Sequence, residues 1–365
     1  MKQDVPLTTI SIGIAGAGLL GRLLAWQLAR AGHRVSVFDP ACDAQPSFDG
    51  QQAAGFTAAG MLSPLAELDT SSAEVATLGW RSIGLWRGIV SRLQSPPQFN
   101  TDGSLLLAHR SDLGSAQRVL ARLESAAAGT PRAEPVSSAR LAQLEPALHG
   151  ASHAWLLPQE GQIDPVAAMH ALHAEARDVQ WHWNQPVESV APGLLLLQDG
   201  TQRRFDVVFD VRGTGSRPEL PVRGVRGETV WLHAPGHGLT RPVRLLHPRH
   251  RVYLVPRPGD IVLVGASEIE SEDRSPVSLR SAVELMAAAH SVMPALAEAR
   301  IQRLDVNLRP ALPDNEPHIE AEPGRVRING LFRHGWLIAP ALVDDALRQC
   351  GLLPQPQPIE EAAHE

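Results

Sequence analysis

The chain has 365 residues, more than one hydrophobic core usually organises, so two domains are expected. Hydrophobic residues make up 44% and charged residues 20%, and the net charge is −6, which gives no electrostatic reason to bind nucleic acid. Lys2 is the sole lysine, which excludes a pyridoxal-phosphate Schiff base and a Walker-type nucleotide site. Two cysteines, Cys42 and Cys350, build neither a disulfide framework nor a cysteine zinc site, and they fit a reducing, cytoplasmic setting.

Residues 10–31 are apolar enough to imitate a leader or a membrane span. Arg22 breaks the run and glycines recur at a set spacing, so the segment reads as folded structure. Residues 10–15 form a strand, and Gly16-Ala17-Gly18-Leu19-Leu20-Gly21 follows. A helix with Leu20, Leu23, Leu24 and Leu28 on one side then runs to Ala31-Gly32, and a second strand, 34–38, ends at Asp39. This is a whole βαβ dinucleotide unit. Gly16 permits the tight turn, Gly18 lets a pyrophosphate approach, and Gly21 lets helix and strand pack closely. The phosphate charge meets the helix N-terminus. Asp39 lies 18 residues past Gly21, about where a ribose-binding acid belongs. By itself the motif leaves NAD and FAD open.

Further along, residues 53–64 are small, apolar and punctuated by glycine. Residues 73–93 read as an amphipathic helix in which Trp80 and Trp86 are packing residues, 104–108 as a strand and 115–127 as a helix. Asp164 and Pro165 cap and open another helix. Strands at 194–197 and 205–211 flank the turn Asp199-Gly200, and the second leads into Gly213-Thr214-Gly215-Ser216. Several strands between 222 and 267 suggest a mainly antiparallel sheet. A helix at 278–293, strands at 301–309 and 326–328, and a final helix to about residue 349 complete the pattern. The Pro/Glu/Ala-rich tail 352–365 reads as disordered. The order implies an α/β, Rossmann-like cofactor domain (1–65, 150–217, 325–351) interleaved with an α+β substrate domain (66–149, 218–324).

Six segments, GIAGAGLLGR (13–22), AAGMLSP (58–64), PVRGVRGE (221–228), VYLVPRPGDIVLVGASEIES (252–271), LRPALPDNEP (308–317) and NGLFRHGWLIAP (329–340), carry a resemblance that spans almost the full length. The chain resembles the FAD-dependent D-amino-acid oxidase superfamily, most closely its glycine-oxidase branch of thiamine biosynthesis. The resemblance implies FAD, held non-covalently. No cysteine lies near 308–312, where the sarcosine-oxidase branch attaches its flavin, and no lysine is available beside the ring. It also implies that Arg309 grips a substrate carboxylate, a task suited to a planar guanidinium fork, and that Tyr253, the only tyrosine, adds a second contact. Ala59, Gly60 and Met61 would line the isoalloxazine. Val187 would meet the adenine through its backbone, and Gly213 and Gly215 would belong to the cofactor site. The run Arg333, His334, Gly335, Trp336 and Leu337 would face the flavin pyrimidine edge, with helix amides stabilising the reduced ring.

The implied reaction is oxidative deamination of glycine or another small amino acid or amine. Hydride passes to the flavin, the imine hydrolyses to glyoxylate and ammonia, and molecular oxygen becomes hydrogen peroxide. Two other readings stay open on the sequence. One is a D-amino-acid dehydrogenase passing electrons to another acceptor; the other is a flavin-bearing subunit of a larger complex. The resemblance also allows a homo-oligomer.

Overall fold

The structure is a computed structural model that describes residues 9–126, 131–246 and 251–354. A six-stranded sheet carries the dinucleotide unit, in the order His318–Glu322, Arg325–Asn329, Val207–Asp210, Ser11–Ala15, Arg34–Phe38, Gln180–His182. All neighbours are parallel except the first pair. Side chains alternate across it, as the pleat requires. Ile12, Ile14, Val35, Val37 and Phe209 join a core with the helices Leu19–Arg30, Pro165–Glu175 and Gly335–Gln349. Ala15, Phe38 and Val208 face the other way, onto the antiparallel ribbon Val187–Ala191, Leu194–Leu197, Gln202–Arg204. Asp164 caps its helix as expected, accepting from the Val166 and Ala167 amides at 3.0 and 3.1 Å.

The second sheet has eight strands: Arg300–Ala311, Arg223–His233, Ile261–Gly265, Arg251–Arg257, Val243–Leu246, Ser104–Ala108, His153–Leu157 and Glu134–Val136. It is antiparallel, as expected, except where Val243–Leu246 runs parallel to Ser104–Ala108. Those two strands come from different insertions, so no hairpin dictates their direction. Two strands also cross the expected domain limits. His153–Leu157 pairs within this sheet, and His318–Glu322 pairs within the six-stranded one. Local pattern cannot reveal such long-range pairing.

One face of the eight-stranded sheet, with Val230, Leu245, Leu254, Val262 and Val264, is sealed by helix Leu279–Val292 through Leu285, Ala289 and Val292. The opposite face carries Arg309, Gly227, Thr229, Tyr253 and Arg244, and it forms part of the wall of a large cavity. Leu352, at the start of the expected tail, is buried in the core; residues 355–365 lie outside the described residues, as does residue 127 at the end of helix Leu113–Ala126. Among the described residues no helix is long and apolar enough to cross a membrane.

Candidate active site

The cavity, about 1340 Å³, runs from the glycine turn to the open face of the eight-stranded sheet. Gly16, Gly18, Leu19, Leu20 and Asp39 line it. Gly16 has φ +106°, a left-handed conformation that side chains resist. A Cβ on Gly21 would sit 1.9 Å from Gly16 O, so Gly21 serves helix–strand packing and does not line the cavity. The first helical bond runs from the Arg22 amide to Gly18 O, 3.0 Å. The amides of Leu19, Leu20 and Gly21 therefore precede the helical ladder, the donor set that suits a diphosphate.

Ala17, also outside the lining, is held from two sides. Its amide donates to Asp39 Oδ2 at 2.6 Å, and its carbonyl accepts from Arg22 Nε at 2.9 Å. Asp39 Oδ1 accepts from the Ala41 amide at 2.9 Å. Burial raises the Asp39 pKa, against the pull of these two amides and of Arg22. The acid expected to meet a ribose is thus also the clasp of the turn. Its remaining lone pairs are free for a hydroxyl.

Val187, Gly213 and Gly215 line the cavity. Arg212, which the sequence reading passed over, accounts for their arrangement. It donates to Asp210 Oδ1 and Oδ2 at 2.9 Å each, and to the carbonyls of Val187 (3.1 Å) and Glu188 (2.9 Å). Burial would lower its pKa, but Asp210 and Glu219 outweigh that and raise it. The Val187 carbonyl is therefore already engaged by the protein.

On the sheet face Arg309 lies across Gly227, whose Cβ, if present, would be 2.4 Å from the guanidinium. Its donors reach Ser267 O (3.0 Å) and Arg226 O (3.4 Å), and among the described residues no carboxylate forms an ion pair with it. Burial lowers its pKa, opposed by Tyr253 and Glu268. Tyr253 sits opposite Gly265 in the ladder, and a Cβ there would lie 2.5 Å from the phenol oxygen. Burial raises the phenol's pKa, opposed by Arg309, Arg244 and Arg257. Two glycines on neighbouring strands thus make room for the two polar groups that face the cavity. Ala59, Gly60 and Met61 line it too. Behind them the buried Arg257 donates to Ala59 O and to Gln162 Oε1 (3.3 Å), and burial pulls its pKa to about 10.

All five residues from Arg333 to Leu337 line the cavity, but their side chains divide. The Trp336 indole turns into the core, donating to Gly55 O at 3.0 Å and stacking on Trp86. Leu337 packs against Gly79, where an added Cβ would come within 2.9 Å. Their backbone amides, with that of Gly335, precede the first helical bond, from Ile338 to His334. Arg333 is turned to Glu67 (3.0 Å) and Glu268 (3.2 Å). His334 Nδ1 lies 3.4 Å from Glu67 Oε2, and its Nε2 lies 3.2 Å from Ser71 Oγ.

Glu67 is the centre of this network, and nothing in its sequence neighbourhood marks it. It also accepts from Arg244 at 2.9 Å, so one carboxylate joins the eight-stranded sheet to the start of the last helix. Burial would raise its pKa, yet Arg244, Arg333 and His334 outweigh that and hold it well below the carboxylate range. Glu160, buried nearby and bonded by the Ala66 amide (2.8 Å) and Ser104 Oγ (2.5 Å), is pushed up to about 6 by burial.

Two helix starts and an acid-clasped glycine turn open into one elongated cavity, and that donor set fits an FAD. Residues 11–344 match the family model described as FAD dependent oxidoreductase, and the chain belongs to that family. It is an FAD-dependent oxidoreductase with FAD as its cofactor. It is 36% identical over 352 residues, 96% of this chain and 99% of the relative, to a Rhizobium etli protein named as a thiamine biosynthesis oxidoreductase, ThiO. A glycine oxidase of Geobacillus kaustophilus is 25% identical over 362 residues, 90% of this chain and 89% of its own. The crystal structure of glycine oxidase from that organism shares the fold with TM-score 0.77 and 22% identity, covering 96% of this chain and all of that one. Iminodiacetate oxidase from Chelativorans sp. BNC1 does so with TM-score 0.78 and 22% identity, covering 96% and 97%.

Proposed function

We propose that the protein catalyses oxidative deamination of a small amino acid or amine, glycine first among them, as a step in thiamine biosynthesis in the cytoplasm. The products would be the imine, then glyoxylate and ammonia, with molecular oxygen reduced to hydrogen peroxide. The observation that carries the reading is the guanidinium of Arg309, which faces the FAD cavity and, among the described residues, has only carbonyls for hydrogen-bond partners. Names of the relatives, ThiO and glycine oxidase, point the same way.

Arg309 would take the substrate carboxylate in two parallel bonds, and the Tyr253 hydroxyl would add a third. Fixing one end of a small molecule in this way removes most of its rotational freedom, the entropic share of the catalysis. Bound FAD supplies the two-electron acceptor. The amides of Gly335, Trp336 and Leu337, which precede the helical ladder, would offer a bound flavin preorganised positive charge at no reorganisation cost. A neutral substrate amine provides its own electron density, so no protein base is required. Gly16, Gly18, Leu19, Leu20, Asp39, Val187, Gly213, Gly215 and Ala59–Met61 would hold the cofactor, with Ala17 and Gly21 shaping the turn behind it, and the eight-stranded sheet would form the second, substrate domain.

Anaerobic mixing with glycine, sarcosine and D-amino acids should bleach the flavin for the true substrate class, and admission of air should yield one peroxide per turnover. Arg309→Ala should raise KM steeply while the protein stays yellow. A variant with wild-type KM would remove the carboxylate anchor from the proposal, and dye reduction without peroxide would replace oxygen by another acceptor.

A further inference from the structure

Arg22 is 1% exposed, although it belongs to an apolar helix on which a cation has no obvious place. Each of its three nitrogens donates to a backbone carbonyl. Nε donates to Ala17 O at 2.9 Å, one terminal nitrogen to Met169 O at 2.8 Å, and the other to Ala44 O at 2.9 Å. The three acceptors come from the glycine turn, the helix Pro165–Glu175 and the loop after Asp39. Among the described residues no carboxylate forms an ion pair with it, and Asp39 is the acid that acts on it through space. A guanidinium is costly to take out of water, so its retention at the dinucleotide turn needs a reason.

The peptide geometry supplies one. In a trans peptide the carbonyl and the following amide point in opposite directions. By gripping Ala17 O, Arg22 fixes the 17–18 peptide so that the Gly18 amide points away from the guanidinium. Gly18 lines the cavity. Asp39 fixes the preceding peptide through the Ala17 amide. The two bonds at Met169 and Ala44 anchor the far side of the planar fork, so its hold on Ala17 cannot swing.

We propose that Arg22 is the positioning residue of the cofactor's diphosphate: it aims the Gly18 amide at the anion and places a buried positive charge behind the turn, without touching the cofactor. The claim concerns cofactor binding alone and stands or falls independently of the amino acid oxidised.

The test is equilibrium binding to apoprotein of the full chain, for wild type and for Arg22→Lys, Arg22→Gln and Arg22→Met. FAD affinity is read by quenching of flavin fluorescence, and ADP affinity by competition. Melting of the apoprotein is recorded in parallel. A tenfold or greater rise in the FAD Kd is expected for Arg22→Met and Arg22→Gln, with Arg22→Lys between them and wild type because it keeps the charge and loses the fork. The ADP Kd should rise by a similar factor, since ADP carries the diphosphate without the flavin. FAD binding within twofold of wild type in a folded variant would overturn the assignment, whatever the change in apoprotein melting. Weakened FAD with unchanged ADP would also overturn it, because the defect would then lie at the ring. If all three variants fail to fold, Arg22 is a folding requirement and the positioning role is refuted.

Discussion

Arg309 reaches the cavity only because residue 227 has no side chain: a Cβ at Gly227 would sit 2.4 Å from one guanidinium nitrogen and 2.5 Å from its central carbon. The two residues are on adjacent strands, Arg309 paired with Val225 and Gly227 with Asn307, so the guanidinium lies diagonally over the glycine. The sheet is held by its ladder bonds and cannot yield, so the side chain must.

Gly227→Ala should therefore act as a silent version of an arginine mutation. KM for the substrate is expected to rise about tenfold or more, equivalent to at least ~1.4 kcal/mol of lost anchoring, while flavin absorbance and melting temperature change little. Steady-state kinetics alongside the visible spectrum checks this. Unchanged KM would mean that Arg309 accommodates the methyl and that its present pose is not the binding pose.

Gly265 stands in the same relation to Tyr253, with 2.5 Å from a built Cβ to the phenol oxygen. Tyr253→Phe removes one hydrogen bond to the substrate carboxylate and leaves the ring, so a roughly tenfold to hundredfold rise in KM is expected from the loss of a bond to a charged group of about 1.5–3 kcal/mol. Gly265→Ala displaces the whole ring and should exceed that. Comparing the two KM values decides it; a Gly265→Ala effect smaller than that of Tyr253→Phe would show that the phenol does not face the substrate.

The two buried acids predict opposite pH slopes. Glu160 has a raised pKa, from an ordinary value of 4.5 to about 6, so the folded state holds its proton more tightly. Its contribution is complete below pH 4.5 and is lost as pH rises through 6, a change of about 2 kcal/mol. Glu160→Gln should thus gain on wild type between pH 4.5 and 7. Glu67 is lowered, so its contribution is present above pH 4.5 and lost as pH falls. Glu67→Gln should be most deficient at neutral pH and approach wild type in acid. Denaturant melts at pH 4.5 and 7.5 measure the Glu160 difference, and melts at about pH 3 and 7.5 the Glu67 difference; parallel slopes for the two variants would contradict the assigned environments.

The short-range features of the fold at and beside the cavity were legible in the sequence. The turn Gly16–Gly21, the acid Asp39 and the cap Asp164 each work through backbone geometry within a few residues or one βαβ unit, so spacing alone announces them. Arg309 and Tyr253 became visible only through resemblance, because nothing local distinguishes a cavity arginine from the many others. Arg22 is the sharper case. Along the chain it is a charge that interrupts an apolar run, yet in the structure it is among the most buried side chains.

What the amino-acid order decided by itself is the βαβ opening, its anion-binding turn and most of the helices and strands. Tertiary structure decided the pairing of charges: Glu67 with Arg244, Arg333 and His334, Arg212 with Asp210, and Arg309 with the carbonyls of Arg226 and Ser267. It also decided which glycines yield space to which side chains. Hydrogen bonding and hydrophobic period act over a turn or a strand and so leave a local imprint. An ion pair between residues 177 or 266 positions apart leaves none, because its existence depends on how whole sheets pack.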